Sequence, residues 1–208
     1  MARPRPWLAL VLAALTSAAT PAPSLRELVE RHDLDGLRQR GPSAMKELVQ
    51  LYEASDAAGR ARVARVFYGL GWKSADAKRV LMADVRTSDR DLRLQAQWAL
   101  GRVSDDPDVV DVLVENMRRD GNALFRDKAG CALAYDQIHL NGRQKLRLFE
   151  GVVAALEDES PDVRRIATLV LQIHTKTDRG FQPLAPPEQR AAALETWKQW
   201  LAEYRAQY

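Results

Sequence analysis

One cysteine, Cys131, stands in the 208 residues. No intramolecular disulfide can form, so the fold rests on its apolar core. Strict period-two alternation and runs of β-branched residues are missing, which argues against a strand-built domain. Catalytic signatures are scarce: there is no His-Glu-x-x-His, Cys-x-x-Cys, Gly-x-Ser-x-Gly or phosphate-loop pattern. The three histidines are His32, His139 and His174, and none is followed by glutamate. No Asn-x-Ser/Thr acceptor occurs. Catalytic residues, metal ligands and cofactor sites are therefore all unassigned.

What is present begins with a leader. "MARPRPWLALVLAALTSAATPAPS" has basic Arg3 and Arg5, an apolar stretch from Trp7 to Leu15, then small residues. That is the pattern of a secretory signal peptide, residues 1–19, with cleavage after Ala18 or Ala19. The stretch is short for a membrane span, which needs about 20 residues. An uncleaved anchor is the alternative. Without residues 1–18, 29 Lys+Arg face 28 Asp+Glu, a net charge near +1. The basic pI is thus poor evidence for nucleic acid or an anionic membrane. The Ala-, Arg- and Leu-rich composition fits a bacterial chain, giving a periplasmic or extracellular expectation.

Nearly every remaining segment predicts helix. Ser24 and Glu27 form a capping box. Asp106-Pro107 and Ser160-Pro161 place a cap before a first-turn proline. Gly41-Pro42, Asn141-Gly142 and Pro186-Pro187 punctuate the rest. Ten helices are expected, near 24–40, 43–55, 57–71, 75–86, 89–102, 107–119, 123–138, 142–157, 160–174 and 187–206. The connections are short, except for a linker over 175–186.

One phrase recurs. Leu92-Arg93 precedes Ala96 and Leu100-Gly101; Phe125-Arg126 precedes Ala129 and Leu133; Val163-Arg164 precedes Ala167 and Leu171. The arginines are 33 and 38 residues apart, with a weaker copy at Arg62-Val63, Val66 and Leu70-Gly71. Apolar, small and apolar residues at i, i+4 and i+8 form one helical stripe. A two-helix unit at this period is a solenoid, because no single unit buries its own apolar face.

The wording Asp89-Arg90-Asp91-Leu92-Arg93, Ala96, Ala99-Leu100-Gly101, repeated at Ser160-Pro161-Asp162-Val163-Arg164, Ala167, Leu171, resembles HEAT repeats, particularly the short phycobilisome-lyase type. The resemblance spans about residues 43–174. It implies an all-α, right-handed superhelix of antiparallel helix pairs, here over 24–174, closed by a C-terminal helix over 187–208. It implies little about activity. The family's di-iron hydroxylases use His-Glu pairs, which this chain lacks. Bilin lyases and DNA glycosylases of this architecture sit poorly with export and near-neutral charge.

Two polar or apolar rows remain. Arg93, Arg126 and Arg164 read as a structural ladder toward Asp91, Asp127 and Asp162, or as a basic stripe. Trp98, with Tyr68, Cys131 and Leu169 as equivalents, lies off the core axis: either packing between units or an apolar stripe for a partner. Trp72 and Arg102 lie beside it. Cys131 itself reads as a small buried residue. In the last helix Leu194, Trp197, Leu201, Tyr204 and Tyr208 form one seam, with Trp200 beside it. The expectation is an exported, monomeric, non-enzymatic protein-binding scaffold, with Tyr68, Trp72, Trp98 and Arg102 as partner-binding residues. It expects no nucleic-acid partner and no stable membrane insertion. The rivals are an enzyme with an unrecognised groove site and a purely structural accessory domain.

Overall fold

Caps set the helix boundaries. The Ser24 amide donates to Glu27 Oε2 at 2.7 Å, and the Glu27 amide donates back to Ser24 Oγ at 3.3 Å. Asn141 and Gln144 form a second such box, at 3.0 Å in both directions. Asp106 stands at its N-cap position without a cap bond. Lys78 Nζ instead takes its carboxylate at 2.6 Å. The structure, a computed structural model, describes residues 22–208. The signal peptide expected over residues 1–19 lies outside them.

The described residues form α1 (Leu25–Glu30), α2 (Leu34–Arg40), α3 (Ala44–Glu53), α4 (Ala57–Leu70), α5 (Ala75–Asp84), α6 (Arg90–Val103), α7 (Pro107–Arg119), α8 (Ala123–Cys131), a π turn (Ala132–Asp136), α9 (Gly142–Ala155), α10 (Pro161–Thr175) and α11 (Pro187–Arg205). Among them α4, α6, α8 and α10 stack in one layer. In the other layer α3 packs on α5, and α9 on both α7 and α11. Pairs such as α5–α6, α7–α8 and α9–α10 join the layers. The architecture is an all-α solenoid. No described helix is long and apolar enough to cross a membrane.

Two expected helices are interrupted. The run 24–40 breaks at His32, whose φ of 52° is left-handed, because Asp33 starts a new helix by accepting from the Gly36 amide at 2.9 Å. The run 123–138 changes to π geometry after Cys131. The repeated Leu-Gly pair also serves two purposes. Gly71 ends α4 in a left-handed conformation, φ 66°. Gly101 stays inside α6, where an added Cβ would lie 3.4 Å from Ala132 Cβ and 3.3 Å from Asp136 Cβ.

The arginine row is a ladder, with partners other than the nearby aspartates expected. Arg93 pairs with Asp120, and its guanidinium lies 4.4 Å from the Phe125 ring centre. Arg126 donates to the Asp120 carbonyl at 2.8 Å, with Asp162 further off at 3.9 Å. Arg164 is buried and holds the carbonyls of Asp158, Glu159 and Pro183 at 2.8, 2.9 and 2.8 Å. The reason is direction: a helical side chain leans toward its own N-terminus, so each arginine meets the turn that precedes its helix or lies beside it.

The C-terminal end is closed by aromatic rings. Trp197 is fully buried, and its Nε1 donates to the Asp178 carbonyl at 3.0 Å. Trp200 and Tyr204 each meet Phe149 edge-on, at 4.9 and 5.1 Å. Trp200 therefore belongs to the centre of the seam, and Tyr208 to its exposed end. The segment over 175–186 is packed too, with Phe181 buried. Replacing fully buried Ala96 or Ala167 with leucine overfills these layers. The expected loss is about 1–3 kcal/mol each, read as a lower denaturant midpoint; unchanged midpoints for both would show the helix register to be wrong.

Candidate functional site

The turns at one edge of the solenoid are bolted to one another. The Ser74 amide donates to the Val103 carbonyl at 3.0 Å. Lys73 Nζ reaches the Arg102 carbonyl at 2.9 Å. Gln137 is fully buried, and its amide nitrogen donates to the carbonyls of Gly101 and Ser104. A hydrogen bond from the Gln137 amide to the Ala132 carbonyl at 3.2 Å closes the π turn. A π turn carries one residue more per hydrogen-bonded ring than an α turn, and such turns recur at functional sites.

Here the extra residue sorts the side chains. Asp136 goes inward and is buried, while Tyr135 and Ile138 face solvent. Together with Leu70, Gly71, Lys73, Arg102 and His139 these three line an open groove of about 380 Å³. Arg102 Nη1 donates to Asp136 Oδ1 at 3.4 Å, and its guanidinium sits 5.0 Å from the Tyr68 ring centre. Tyr68 in turn meets Trp98 with ring centres 6.2 Å apart. A second cluster adjoins it. Lys73 Nζ and His139 Nε2 both lie 2.5 Å from Asp105 Oδ1, and 2.8 Å from each other. His139 Nε2 cannot donate to Asp105 and accept from Lys73 at once, so Asp105 is what holds the two together.

Burial pushes the Asp136 carboxyl above the usual carboxylate range, with Arg102 and Tyr68 opposing it. Burial, then the charge of Asp136, raises the Tyr68 phenol. Burial raises Asp105 as well, but the hydrogen bonds from Lys73 and His139 prevail and hold its carboxyl low. Cys131 is half-buried, more open than expected for a core residue, because it faces out of α8 beside Asp127. Burial and that aspartate push its thiol up, away from reactivity.

The structure thus brings together three of the four residues singled out in the sequence: Tyr68, Trp98 and Arg102. Of the four, Arg102 lines the groove, and Trp72, like Tyr68 and Trp98, is half-buried against the core. Trp98 is half-buried, between the fully exposed and the fully buried alternatives. Sequence reasoning missed Asp136, Tyr135, Ile138 and the Lys73–Asp105–His139 cluster. The 38-residue arginine spacing was a signal for them. The turn over 137–141 is longer than its counterpart over 104–106, and it carries Ile138 and His139.

A larger groove of about 630 Å³ lies along α7 and α9. In it Arg147 binds Asp111 at 2.7 and 3.1 Å, and Glu150 binds Arg205 at 2.8 Å. Among the described residues no group of three or more His, Cys, Asp or Glu is placed to hold a metal ion.

A family model described as HEAT repeats matches residues 45–134, from α3 into the π turn. The chain contains HEAT repeats over this stretch, and the match includes Tyr68, Trp98 and Arg102. No curated protein matches the sequence.

The raised Asp136 gives a pH prediction. Its folded value lies above the unfolded value of about 3.9. The associated stability is complete below that value and is lost as pH rises through the folded one. Asp136→Asn, neutral throughout, is expected to gain on the wild type in urea midpoint as the pH is raised above about 4. A pH-independent difference would show that the buried charge is not the cause.

Proposed function

We propose that the chain is an exported, non-enzymatic scaffold that binds a partner protein at the face formed by Tyr68, Trp98 and Arg102, flanked by Trp72. The observation that carries this is the aromatic pair under an exposed arginine, continuous with the solvent-facing Tyr135 and Ile138. An exposed apolar patch beside a stacked arginine is the composition of interface hot spots. Tyr68, Trp98 and Arg102 sit on regular helices, so the surface is preformed. Helical repeats that contact only their neighbours leave such surfaces extended and open. Export rests on the signal-peptide pattern expected over residues 1–19.

An enzyme is the second reading, and the Lys73–Asp105–His139 cluster is the specific feature that favours it. Asp105→Asn separates the two: it breaks the cluster while Tyr68, Trp98 and Arg102 stay in place, so partner binding persists on the scaffold reading and turnover is lost on the other.

Affinity capture from an envelope extract is expected to recover a partner with the wild type and to lose it with the double variant Trp98→Ala/Arg102→Glu, helicity being preserved. Equal capture by both removes this face as the binding site. N-terminal sequencing of protein from that fraction is expected to begin near residue 19 or 20. Intact Met1 in the cytosol would reject export.

A further inference from the structure

We infer that the groove at the π turn takes an acidic segment of the partner, with a side-chain carboxylate on Arg102 and an adjoining apolar side chain against Tyr135 and Ile138. This rests on the scaffold reading above and specifies the chemistry of the partner.

The argument begins with donors. A guanidinium offers five N–H groups in a planar fork. Among the described residues, Arg102 uses its guanidinium for one hydrogen bond, to Asp136 at 3.4 Å, which is long. Asp136 is a poor competitor for the rest. It lies beneath the arginine with its side chain 4 % exposed, and burial disfavours its charged form. Lys73 and His139, by contrast, are already committed to Asp105. Arg102 is therefore the cation of this groove with donors left to give.

The arginine is also held in place. The Tyr68 ring stacks on one side of it. Gly71 passes beneath, where an added Cβ would stand 3.3 Å from Arg102 Nε. A guanidinium fixed this way loses little freedom on gripping a carboxylate, and the two-pronged match is geometrically specific.

Charge complementarity then decides the sign of the partner. The side chains of Lys73, Arg102 and His139 are 44, 45 and 42 % exposed, against 34 % for Asp105 and 4 % for Asp136. The outward face of the groove is cationic, and the counter-charges lie underneath. Tyr135 and Ile138, 56 and 43 % exposed, flank it with apolar surface. An acidic side chain next to an aliphatic or aromatic one satisfies both halves. A basic segment would meet the like charges of Lys73 and Arg102, and an uncharged one would leave the arginine fork unused.

Selection from a random-peptide display library tests this. The peptides are displayed between fixed flanks, so that no free chain end is offered, on the immobilised chain as wild type, Arg102→Gln, Arg102→Lys and Trp98→Ala. Circular dichroism confirms that each variant is folded. The expected wild-type pool is enriched in Asp or Glu beside apolar residues. Its affinity falls about tenfold or more with Arg102→Gln, and less with Arg102→Lys, which keeps the charge and loses the fork. Replacing the peptide's Glu by Gln costs a similar factor on the wild type and little further on Arg102→Gln, as a coupled pair requires. A pool without acidic enrichment, or one indifferent to Arg102→Gln but weakened by Trp98→Ala, overturns the acidic partner and leaves the scaffold standing. No enrichment on any form, or binding unchanged by every variant, overturns the scaffold site as well.

Discussion

Neighbouring helices in this protein meet across residues too small to hold them apart, and the remaining structure depends on that. At Gly130 an added Cβ would run into Ile166 of α10, at Gly69 into Leu34 at 2.7 Å, and at Gly151 into Val114 at 2.9 Å. Fully buried Ala64, Ala96, Ala129 and Ala167 stand on the same layer of helices. Close approach brings the larger Leu, Val and Phe side chains into full burial, in a chain with one cysteine and hence no internal cross-link. It also sets the spacing between units, and so the distance from Tyr68 to Trp98 and from Arg102 to Asp136.

The repeat was legible because packing of this kind leaves a periodic trace. Alanine four residues before and after a larger apolar residue has no use on a solvated helix, so its recurrence reports a buried stripe. The cap-and-proline pairs were legible for a similar reason: they act on local backbone groups alone. The partners of Arg93, Arg126 and Arg164 were not. Sequence proximity suggested Asp91, Asp127 and Asp162, whereas turn residues such as Asp120 and Asp158 hold them. The π turn was equally hidden. Ala132-Leu133-Ala134-Tyr135-Asp136 has nothing in its composition to separate one helical register from another. The choice is made from outside, by Gln137 reaching the carbonyls of Gly101 and Ser104.

The edge of turns and the face of helices divide the labour. Side chain to backbone bonds along the turns tie successive units together. This lets the adjoining face carry features that cost stability, such as a buried carboxyl beneath a long hydrogen bond and two large apolar side chains in water. Such costs are borne where a surface is used and seldom elsewhere. At the opposite end the aromatic seam of α11 covers the last pair, so the solenoid does not present the same raw face at its terminus that it buries between its units.

The π turn also bears on how such a surface changes over generations. Its geometry differs from ordinary helix by one residue per ring. A single-codon deletion within 132–136 would let this turn close as ordinary α-helix, the residues before and after it keeping their places. The extra residue that separates solvent-facing Tyr135 and Ile138 from buried Asp136 would then be gone, while α4 and α6 stayed as they are. Gain and loss of the groove are therefore one mutational step apart. Among relatives, the length of this short stretch would mark which ones have kept the groove more reliably than the identity of any residue lining it.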